Sequence, residues 1–280
     1  RESTVVRGSL DSARQWNLPV EALDATMIRA RFPWFAVPDE AVGAFEASAG
    51  IVRPEATVQA AVRLARARGA EVRTAVRVRE VVEDRDGVSV VTDAGSERGA
   101  AAIIAAGAWA SRLMPELAPR LEVTRQVQAW LSPTAGTDAS ALPCWLWDRG
   151  AGRRALYGLA PDPSAPGNPD GSPSPSRFPK VALHGSDVVV DPDQGAAPVA
   201  TADTDAILDG CRAIAPSLAG RVVAATTCLY TMSPDEHFLV GLRPGCRRTL
   251  IAAGLSGHGF KLAPALGDAL AALALQGRTD

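Results

Sequence analysis

The residues with the most distinctive chemistry in this chain are its two lysines. Among 29 basic residues, only Lys180 and Lys261 are lysine. An ammonium is a compact cation that can be directed at a single atom, whereas a guanidinium is a planar fork. Each lysine has a histidine close to it in sequence: His184 follows Lys180, and His258 precedes Lys261. We therefore expect both lysines to bind an anion or to stabilise negative charge during a reaction.

A glycine-rich turn surrounds the second lysine. The segment RRTLIAAG reads as a strand, LSGHGF as a turn and KLAPALGDALAALALQG as a helix. Backbone N–H groups at such a helix start are unpaired and lie at the positive end of the helix dipole, which predicts an anion site. The same arrangement occurs in α/β proteins that bind nothing there. His258 and Lys261 are what favour the functional interpretation.

Other elements follow from hydrophobic periodicity and from helix start and stop signals. Pro54 begins a helix that ends at Gly69, and Arg85-Asp86-Gly87 forms a hairpin turn. AAAIIAAGAWAS reads as an apolar strand that continues through Gly107 into a helix. We also expect two further helices, one in VEALDATMIRARFP stopped by Pro33 and one from Asp203 to Ala215. Extended structure is expected as a short segment in AVPDEAVGAFEASAGIV and as strands in KVALHG and VVAATTCLYT. The stretch from Pro161 to Pro179 is expected to be a mobile linking loop.

Composition narrows the class of protein. A net charge of −2 and a pI near 6.0 provide no general attraction to nucleic acid or to an acidic membrane. No apolar run approaches the length of a membrane span, and Arg1 begins no signal peptide, which predicts a cytoplasmic protein. The cysteines, Cys144, Cys211, Cys228 and Cys246, lack the spacing of metal ligands, so neither zinc nor disulfides are expected.

Five longer segments of the chain belong together: CLYTMSPDEHFLVGLRP, IAAGLSGHGFKLAP, AIIAAGAWAS, RQVQAW and ASAGIVRPEATVQAAVRLARARGAEV. They resemble the monomeric sarcosine oxidase and N-methyltryptophan oxidase family, flavoproteins of the D-amino-acid-oxidase superfamily. CLYTMSPDEHFLVGLRP and IAAGLSGHGFKLAP are similar to the C-terminal flavin segment of that family. AIIAAGAWAS resembles its internal strand beneath the cofactor, RQVQAW the strand that follows, and ASAGIVRPEATVQAAVRLARARGAEV its long helix. The resemblance extends from about Ser12 to Thr279 and implies an FAD-dependent oxidase of secondary amines or N-methyl amino acids, with oxygen as the second substrate and hydrogen peroxide as a product.

The resemblance also implies roles for individual residues. Lys261 matches the lysine that binds the substrate carboxylate, and Lys180 the lysine that assists the reduction of oxygen. Tyr157, His184 and Tyr230 match residues that line the substrate cavity. Cys228 matches the cysteine that holds the flavin covalently. The remaining cofactor-binding residues implied by the family are Val78, Ala106, Gly107, Trp109, Gly257, His258, Gly259, Phe260 and Lys261.

Each of these residues also has an ordinary interpretation. Cys228 lies in a strand pattern in which a buried cysteine is common, and only the YT and DEHF that follow favour attachment of flavin. His184 is open to interpretation as a core histidine that satisfies its own hydrogen bonds. For His237 we prefer that interpretation, since no partner is legible. Tyrosines also pack in ordinary hydrophobic cores, so the presence of Tyr157 and Tyr230 only suggests a substrate cavity.

The expected fold is α/β, with an incomplete Rossmann-like FAD-binding lobe interleaved with a substrate lobe built on an antiparallel sheet. We expect residues 47–115 and 236–280 in the first lobe, and residues 1–46 and 116–235 in the second. The family's N-terminal GxGxxG unit has no counterpart here, because the nearest string, Gly150-Ala-Gly152-Arg-Arg-Ala, has no strand and helix around it. Ala101–Ala110 would then expose apolar surface.

Two functional hypotheses follow from the lack of a counterpart to the GxGxxG unit. The first is a catalytic flavoprotein in which an N-terminal FAD-binding fragment belongs to the parent chain or is supplied in trans. The alternative is a non-catalytic truncated remnant, or one half of a split flavoprotein, that binds small carboxylates weakly. We expect residues 1–280 alone to bind FAD weakly, because a diphosphate needs the glycine-rich unit.

Overall fold

The structure is a computed structural model that describes residues 3–150, 153–167 and 174–277. Its helices are α1 Thr4–Trp16, α2 Ala25–Arg31, α3 Pro54–Ala67, α4 Ala110–Leu113, α5 Thr201–Ile214 and α6 Ala263–Gln276. Its strands are β1 Val20–Asp24, β2 Val42–Glu46, β3 Val78–Glu83, β4 Val88–Thr92, β5 Gly95–Gly99, β6 Ala102–Ile104, β7 Glu122–Ser132, β8 Trp145–Trp147, β9 Leu156–Leu159, β10 Lys180–Leu183, β11 Arg221–Met232, β12 Leu239–Leu242 and β13 Thr249–Ala253.

The chain divides into two compact units. The first comprises Arg1–Ile51, Arg125–Asp187 and Ala196–Cys228. The second comprises Val52–Thr124, Val188–Gly195 and Leu229–Asp280. The predicted fold class is confirmed, because helices and largely antiparallel sheets are mixed along the chain.

The first unit is built on a five-stranded sheet of order β11-β7-β10-β9-β8. The pairs β7–β10, β10–β9 and β9–β8 are antiparallel. One face of this sheet is the core of the unit, where Leu131, Leu156 and Val181 are fully buried and pack with side chains of α5 such as Ile207. A separate ribbon of β1 and β2 pairs antiparallel beside α1 and α2.

The second unit contains two three-stranded sheets. The strands β3, β4 and β5 form an antiparallel meander whose first turn is the predicted Arg85-Asp86-Gly87 hairpin. The other sheet has the order β12-β13-β6, and β13 pairs parallel with β6. The core of the unit lies between these elements and includes Val88, Ile104, Met114 and Ile251. The strand β6 leads into a 3₁₀ turn at Gly107–Trp109 and then α4, as the sequence predicts.

The start and stop signals of α3 are confirmed. Pro54 occupies its first turn, where a missing N–H costs nothing. Gly69, just beyond the helix, has a φ of +90°, a conformation that suits glycine. The helix nevertheless buries none of its side chains, and Val58 and Leu64 are 51% and 55% exposed.

The prediction of a single helix in VEALDATMIRARFP is wrong. Residues Val20–Asp24 form β1, which pairs with β2, and only Ala25–Arg31 are helical. The change occurs at Asp24, whose carboxylate accepts a hydrogen bond from the N–H of Met27 at 2.8 Å and so caps the helix. Pairing between strands, which helical periodicity does not reveal, decides the conformation of the first five residues.

Two predictions about loops have different outcomes. In the string Gly150-Ala-Gly152-Arg-Arg-Ala, the residues Gly150 and Arg153–Ala155 lie between the antiparallel strands β8 and β9, and neither strand is followed directly by a helix. Ala151 and Gly152 lie outside the described residues. The predicted mobile loop Pro161–Pro179 is described except for residues 168–173. Its described ends are packed, since the N–H of Asp162 donates to the carbonyl of Ser176 at 2.7 Å and Ala165 is buried. The mobility of the loop stays a prediction.

A buried ion pair joins two distant segments of the first unit. The guanidinium of Arg125 donates to both carboxylate oxygens of Asp203, at 3.2 and 2.8 Å, and to the carbonyls of Ala197 and Pro198. The side chain of Arg125 is only 8% exposed. These hydrogen bonds from Arg125 hold the pKa of Asp203 below its ordinary value, against the opposing effect of burial.

Replacing Asp203 by Asn should destabilise the protein by about 2–4 kcal/mol at pH 7, because it leaves a buried guanidinium without its counterion. A carboxyl whose pKa is lowered by folding stabilises the fold above its unfolded pKa of about 3.9 and loses that contribution as the pH falls through the folded pKa. The difference in the free energy of unfolding between wild type and variant should therefore shrink below about pH 4. Urea unfolding at pH 7 and below pH 4 measures this difference. Asp209→Asn, which removes an exposed ion pair on the same helix, is the control and should unfold almost as wild type does.

Candidate functional site

Three of the predicted catalytic residues lie on one face of the five-stranded sheet. Lys180 on β10 is paired with Trp130 on β7 and Leu159 on β9, and Tyr157 is paired with Ala182. Directly paired residues of antiparallel strands lie on the same face, and so do alternate residues of one strand. Lys180 and Tyr157 therefore share the face opposite the core. The core face is formed by the intervening residues, such as the fully buried Val181.

His184 completes this group just beyond the end of β10. Its backbone N–H donates to the carbonyl of Ala155 at 2.7 Å, which extends the pairing of β10 with β9 by one more bond. Its ring meets the ring of Tyr157 edge to face, with centroids 6.3 Å apart. His184 is half-buried, and its ring contact orients Tyr157 on the sheet face. The structure thus places Lys180, His184 and Tyr157 on one face of the sheet, and their roles stay predictions.

Sequence analysis missed two further residues on this face. Trp130 and Gln128 on β7 pair with Lys180 and Ala182, and both are half-buried. The ammonium of Lys180 lies 6.0 Å from the centre of the Trp130 ring, within the range of a cation–π interaction. The signal for these residues was present in RQVQAW, where polar and aromatic side chains alternate with Val127 and Ala129.

Cys228 belongs to β11 in the same unit and has a free, half-buried thiol. Burial raises the pKa of this thiol, and the positive charge of Lys180 opposes the increase. The thiolate is the nucleophilic form of cysteine, so the charge of Lys180 favours the reactive form against the effect of burial. An accessible, unpaired thiol near a cation fits a covalent attachment point better than it fits a core cysteine such as Cys211, which is fully buried.

In the second unit, the predicted turn has an unusual backbone. Gly254, Ser256 and Gly257 all have positive φ angles, of +60°, +46° and +78°. A Cβ atom at Gly257 would overlap the ring of Tyr230, so the turn packs against that ring without space for any side chain. A Cβ atom at Gly259 would meet the side chain of Leu255 at 2.6 Å. The glycines of SGHGF are therefore required by close packing as well as by backbone conformation.

Lys261 and His258 both interact with this turn. The ammonium of Lys261 donates to the carbonyl of His258 at 2.7 Å, and the side chain is exposed. Nδ1 of His258 lies 3.0 Å from the carbonyl oxygen of Ser256, which can only accept, so Nδ1 carries the proton. The His258 ring is packed on Phe238, with centroids 4.8 Å apart.

The predicted helix start needs a correction. A 3₁₀ turn at Phe260–Leu262 follows the glycines, and α6 begins only at Ala263. The end of the α-helix is therefore displaced from the turn, so the dipole of α6 is not centred on Ser256–Phe260 as expected. The backbone remains suited to an anion: within the described residues, the N–H groups of Gly257 and Gly259 donate no hydrogen bond.

The remaining predicted cofactor residues also lie in the second unit. Gly107 has a φ of +52° and follows Ala106 at the end of β6. Nε1 of Trp109 donates to the carboxylate of Asp193 at 2.9 Å, and Arg77, the neighbour of Val78, lies 3.8 Å from the same carboxylate. Val78 and Trp109 are 36% and 45% exposed, so both side chains are accessible to a ligand.

His237 is not the core histidine that the sequence predicts. It is exposed, in a turn where Glu236 has a φ of +60°. Its backbone N–H donates to the carboxylate of Asp235 at 3.1 Å. This hydrogen bond, with others to the same group, holds the pKa of Asp235 below its ordinary value. The residue is placed by backbone bonds of the turn, which a periodicity argument does not detect.

The described residues contain neither a cluster of side chains that could hold a metal ion nor a helix that could span a membrane. No group of three or more His, Cys, Asp or Glu side chains in this part of the chain is arranged to hold a metal ion. None of its helices combines the length and the apolar composition needed to cross a bilayer.

Comparison with known proteins shows the family to which the chain belongs. The sequence profile of the DAO family, FAD dependent oxidoreductases, matches residues 2–273, and the chain belongs to this family. It is 36% identical to monomeric sarcosine oxidase of Streptomyces avermitilis, over 99% of this chain and 71% of that protein. It is 33% identical to N-methyl-L-tryptophan oxidase of Salmonella dublin, over 96% of this chain and 68% of that protein.

Solved structures show the same fold. NikD, described as an unusual amino acid oxidase essential for nikkomycin biosynthesis, superposes with a TM-score of 0.77 at 26% identity, over 98% of this chain and 70% of that chain. L-proline dehydrogenase from P. horikoshii also gives a TM-score of 0.77, at 18% identity, over 98% of this chain and 69% of that chain, and supports the fold alone.

The residues present fit a flavin. The amide N–H groups of Gly257 and Gly259, which donate no hydrogen bond within the described residues, suit the electron-rich carbonyl edge of an isoalloxazine ring. An N–H group is neutral, yet it can stabilise negative charge on that edge by donating a hydrogen bond. The ring of Tyr230 fills the space beside Gly257, so a side chain at that position would displace the turn or the ring. These features match a planar ligand with hydrogen-bond acceptors along one edge.

Gly257→Ala should displace either the turn or the ring of Tyr230, because the added methyl group overlaps that ring. We expect a loss of about 1–3 kcal/mol from this overlap, in addition to the cost of a non-glycine residue at positive φ. Gly69→Ala is the matched control, since it has a similar φ and no atom within 4 Å of the added Cβ. Thermal unfolding of both variants separates the two effects. An equal loss of stability in both would show that the contact with Tyr230 is unimportant.

Proposed function

We propose that this protein is an FAD-dependent oxidase of secondary amines, acting on N-methyl amino acids or related compounds. The observation that carries the proposal is the placement of the two lysines. Lys180 lies on a sheet face with Tyr157 and His184, and Lys261 lies in a glycine turn with unpaired amides. The similarity to monomeric sarcosine oxidase and N-methyl-L-tryptophan oxidase supports the choice of substrate class.

Bound FAD would supply a two-electron acceptor that takes a hydride from the carbon beside the amine nitrogen and passes both electrons to oxygen, which with two protons gives hydrogen peroxide. The amine thereby becomes an imine, and water hydrolyses the imine to a carbonyl compound and a smaller amine. The protein contributes binding, orientation and charge to this reaction.

Lys261 would bind the carboxylate of the substrate. Its ammonium is exposed and already lies within hydrogen-bonding distance of a neutral carbonyl, that of His258. A carboxylate is a stronger acceptor than a carbonyl, so the ammonium can exchange one for the other or hold both. Fixing the carboxylate fixes the direction of the reacting C–H bond, which is a contribution of orientation to the rate.

Lys180 would stabilise the negative charge that develops on oxygen as it is reduced. The charge is held on a strand between β7 and β9 and lies against the face of Trp130. A cation fixed in this way needs little reorganisation when charge appears near it. Tyr157, His184 and Tyr230 would line the space for the amine. Cys228 would hold the flavin as a thioether, in which its sulfur replaces one hydrogen of a carbon on the flavin ring; the thiol proton is lost and oxygen takes up the two electrons that are released. Val78, Ala106, Gly107, Trp109 and residues 257–260 would contact the flavin.

The function itself is tested by oxygen consumption of the FAD-loaded protein with sarcosine, N-methyltryptophan, proline and pipecolate. Hydrogen peroxide should form in a 1:1 ratio to the oxygen consumed with at least one of these amines. Oxidation of a primary amino acid such as alanine, with no response to any secondary amine, would exclude the proposed substrate class.

Covalent attachment through Cys228 predicts that flavin stays with the protein after denaturation. Acid precipitation of the FAD-loaded wild type should leave the yellow colour in the pellet, because a thioether survives unfolding. Cys228→Ser should release the flavin into the supernatant. Cys246→Ser, which alters another half-buried thiol, is the control and should retain it. Complete release from the wild type would contradict the assignment.

The two lysines should affect different half-reactions. Lys261→Ala should raise the KM for an amino-acid substrate by about 10- to 100-fold and slow flavin reduction, since it removes a charged hydrogen bond that orients the carboxylate. Lys180→Ala should leave anaerobic flavin reduction largely intact and slow reoxidation by oxygen by roughly 100-fold. Stopped-flow absorbance of each half-reaction measures both effects. Impaired reduction with unchanged reoxidation in Lys180→Ala would refute the role given to that residue.

A further inference from the structure

Two buried serines hold the turn that carries Lys261. Ser233 and Ser256 are 5% and 2% exposed, although they are 23 residues apart in sequence. The backbone N–H of Ser233 donates to the hydroxyl of Ser256 at 3.2 Å, and the two hydroxyl oxygens are also 3.2 Å apart. Buried hydroxyls need hydrogen-bond partners, and each of these serines is a partner of the other.

The protons of this pair can be assigned from the acceptors around it. The hydroxyl of Ser233 lies 2.6 Å from the carbonyl of His237, and the hydroxyl of Ser256 lies 3.1 Å from the carbonyl of Gly254. The hydroxyl of Ser233 also lies 3.2 Å from the carboxylate of Asp235, but its single proton goes to the nearest acceptor, the carbonyl of His237. The proton of Ser256 is shared between the carbonyl of Gly254 and the hydroxyl of Ser233, which lie 3.1 and 3.2 Å away and can both accept. Ser256 therefore ties residue 254 to strand β11 and the residues that follow it. Ser233 ties the same region to the turn at His237.

The backbone conformation of Ser256 indicates that the hydroxyl group of this residue is required. Its φ of +46° is a conformation that glycine adopts freely and that serine adopts at a cost. Both neighbouring positive-φ positions in this turn, Gly254 and Gly257, are glycine. A serine at the third such position is consistent with a required hydroxyl, which offsets the backbone strain through its hydrogen bonds.

From Ser256 the hydrogen bonds continue to the residues of the proposed site. The N–H of Ser256 donates to the carbonyl of Thr231 at 3.0 Å, beside Tyr230, and its own carbonyl accepts from Nδ1 of His258. The carbonyl of His258 in turn accepts from Lys261. The position of Ser256 thus influences the contact of Gly257 with Tyr230, the ring of His258 and the ammonium of Lys261.

We infer that Ser233 and Ser256 are positioning residues, which fix the glycine turn so that Lys261 and the amides of Gly257 and Gly259 are set for an anionic ligand. This inference rests on the proposed function, in which Lys261 binds a substrate carboxylate. Loss of either hydroxyl should loosen the turn and weaken binding of a carboxylate, although neither serine touches the ligand.

The test compares four variants and one control variant with wild type, each measured in an excess of FAD that saturates the protein. Ser256→Ala and Ser256→Gly both remove the hydroxyl, and the second also relieves the backbone strain. Ser233→Ala removes the partner, and Ser233→Thr restores a hydroxyl at that position. Thr249→Val is the matched control, because it removes a fully buried hydroxyl of the same unit that bonds to Glu83 and not to the turn.

Two measurements are made on each protein. The first is the dissociation constant for acetate, followed by the change in flavin absorbance. The second is hydrogen exchange of the amides of residues 254–260 and of Ser233, followed by mass spectrometry. The hydroxyl-deleting variants Ser256→Ala, Ser256→Gly and Ser233→Ala should bind acetate about tenfold more weakly and exchange faster in this segment. Ser233→Thr and Thr249→Val should behave as wild type in both measurements.

The outcomes separate this inference from the proposed function. Acetate binding and exchange in Ser256→Gly that equal those of wild type would overturn the inference, because backbone conformation alone would then be sufficient. Equal weakening in Thr249→Val would overturn it as well, since general destabilisation would explain the effect. If the variants behave as expected but the wild type oxidises no secondary amine, the proposed function fails and the positioning role stands. Should Ser256→Ala fail to fold, Ser233→Ala and Ser233→Thr provide the same comparison.

Discussion

The alternation of side chains along β10 is the constraint on which the candidate chemistry of the first unit depends. Val181 is completely buried in the core, so its neighbour Lys180 must point to the opposite face. The same rule places Tyr157 and Trp130 with Lys180, because each is paired with a residue of that face. The hydrophobic core therefore orients the lysine, and a shift of register by one residue would bury the ammonium.

The second unit relies on a different principle, in which backbone conformation is set by close contacts. The turn at Gly254–Gly259 leaves the regular strand geometry of β13 through several positive-φ residues and packs against Tyr230. Regular secondary structure pairs almost every backbone amide, whereas this turn leaves amides unpaired. In the proposed function these backbone groups form the binding surface, and the side chains around them hold its shape.

The sequence predicted those features that depend on nearby residues. The ends of α3 follow from Pro54 and Gly69, and the hairpin between β3 and β4 follows from Arg85-Asp86-Gly87. The assignment of β1 as part of a helix was wrong because pairing with β2, about 20 residues later, outweighed local periodicity. Trp130 and Ser233 were missed for a related reason: each acquires its role from a residue distant in sequence, Lys180 and Ser256. Family resemblance supplied most of the candidate site, since the roles of Tyr157 and Cys228 are not legible from composition or spacing.

The exposure of α3 has a consequence for the dynamics of the protein. A helix of 14 residues with no buried side chain gains little from tertiary packing, and helices of that length are only marginally stable in water on their own. Its stability must come from its own start and stop residues and from local side-chain pairs. Opening of α3 should therefore cost much less free energy than opening of β13, where Leu250 and Ile251 are buried. We therefore expect amide hydrogen exchange in the unit to be fastest in α3 and slowest in β13.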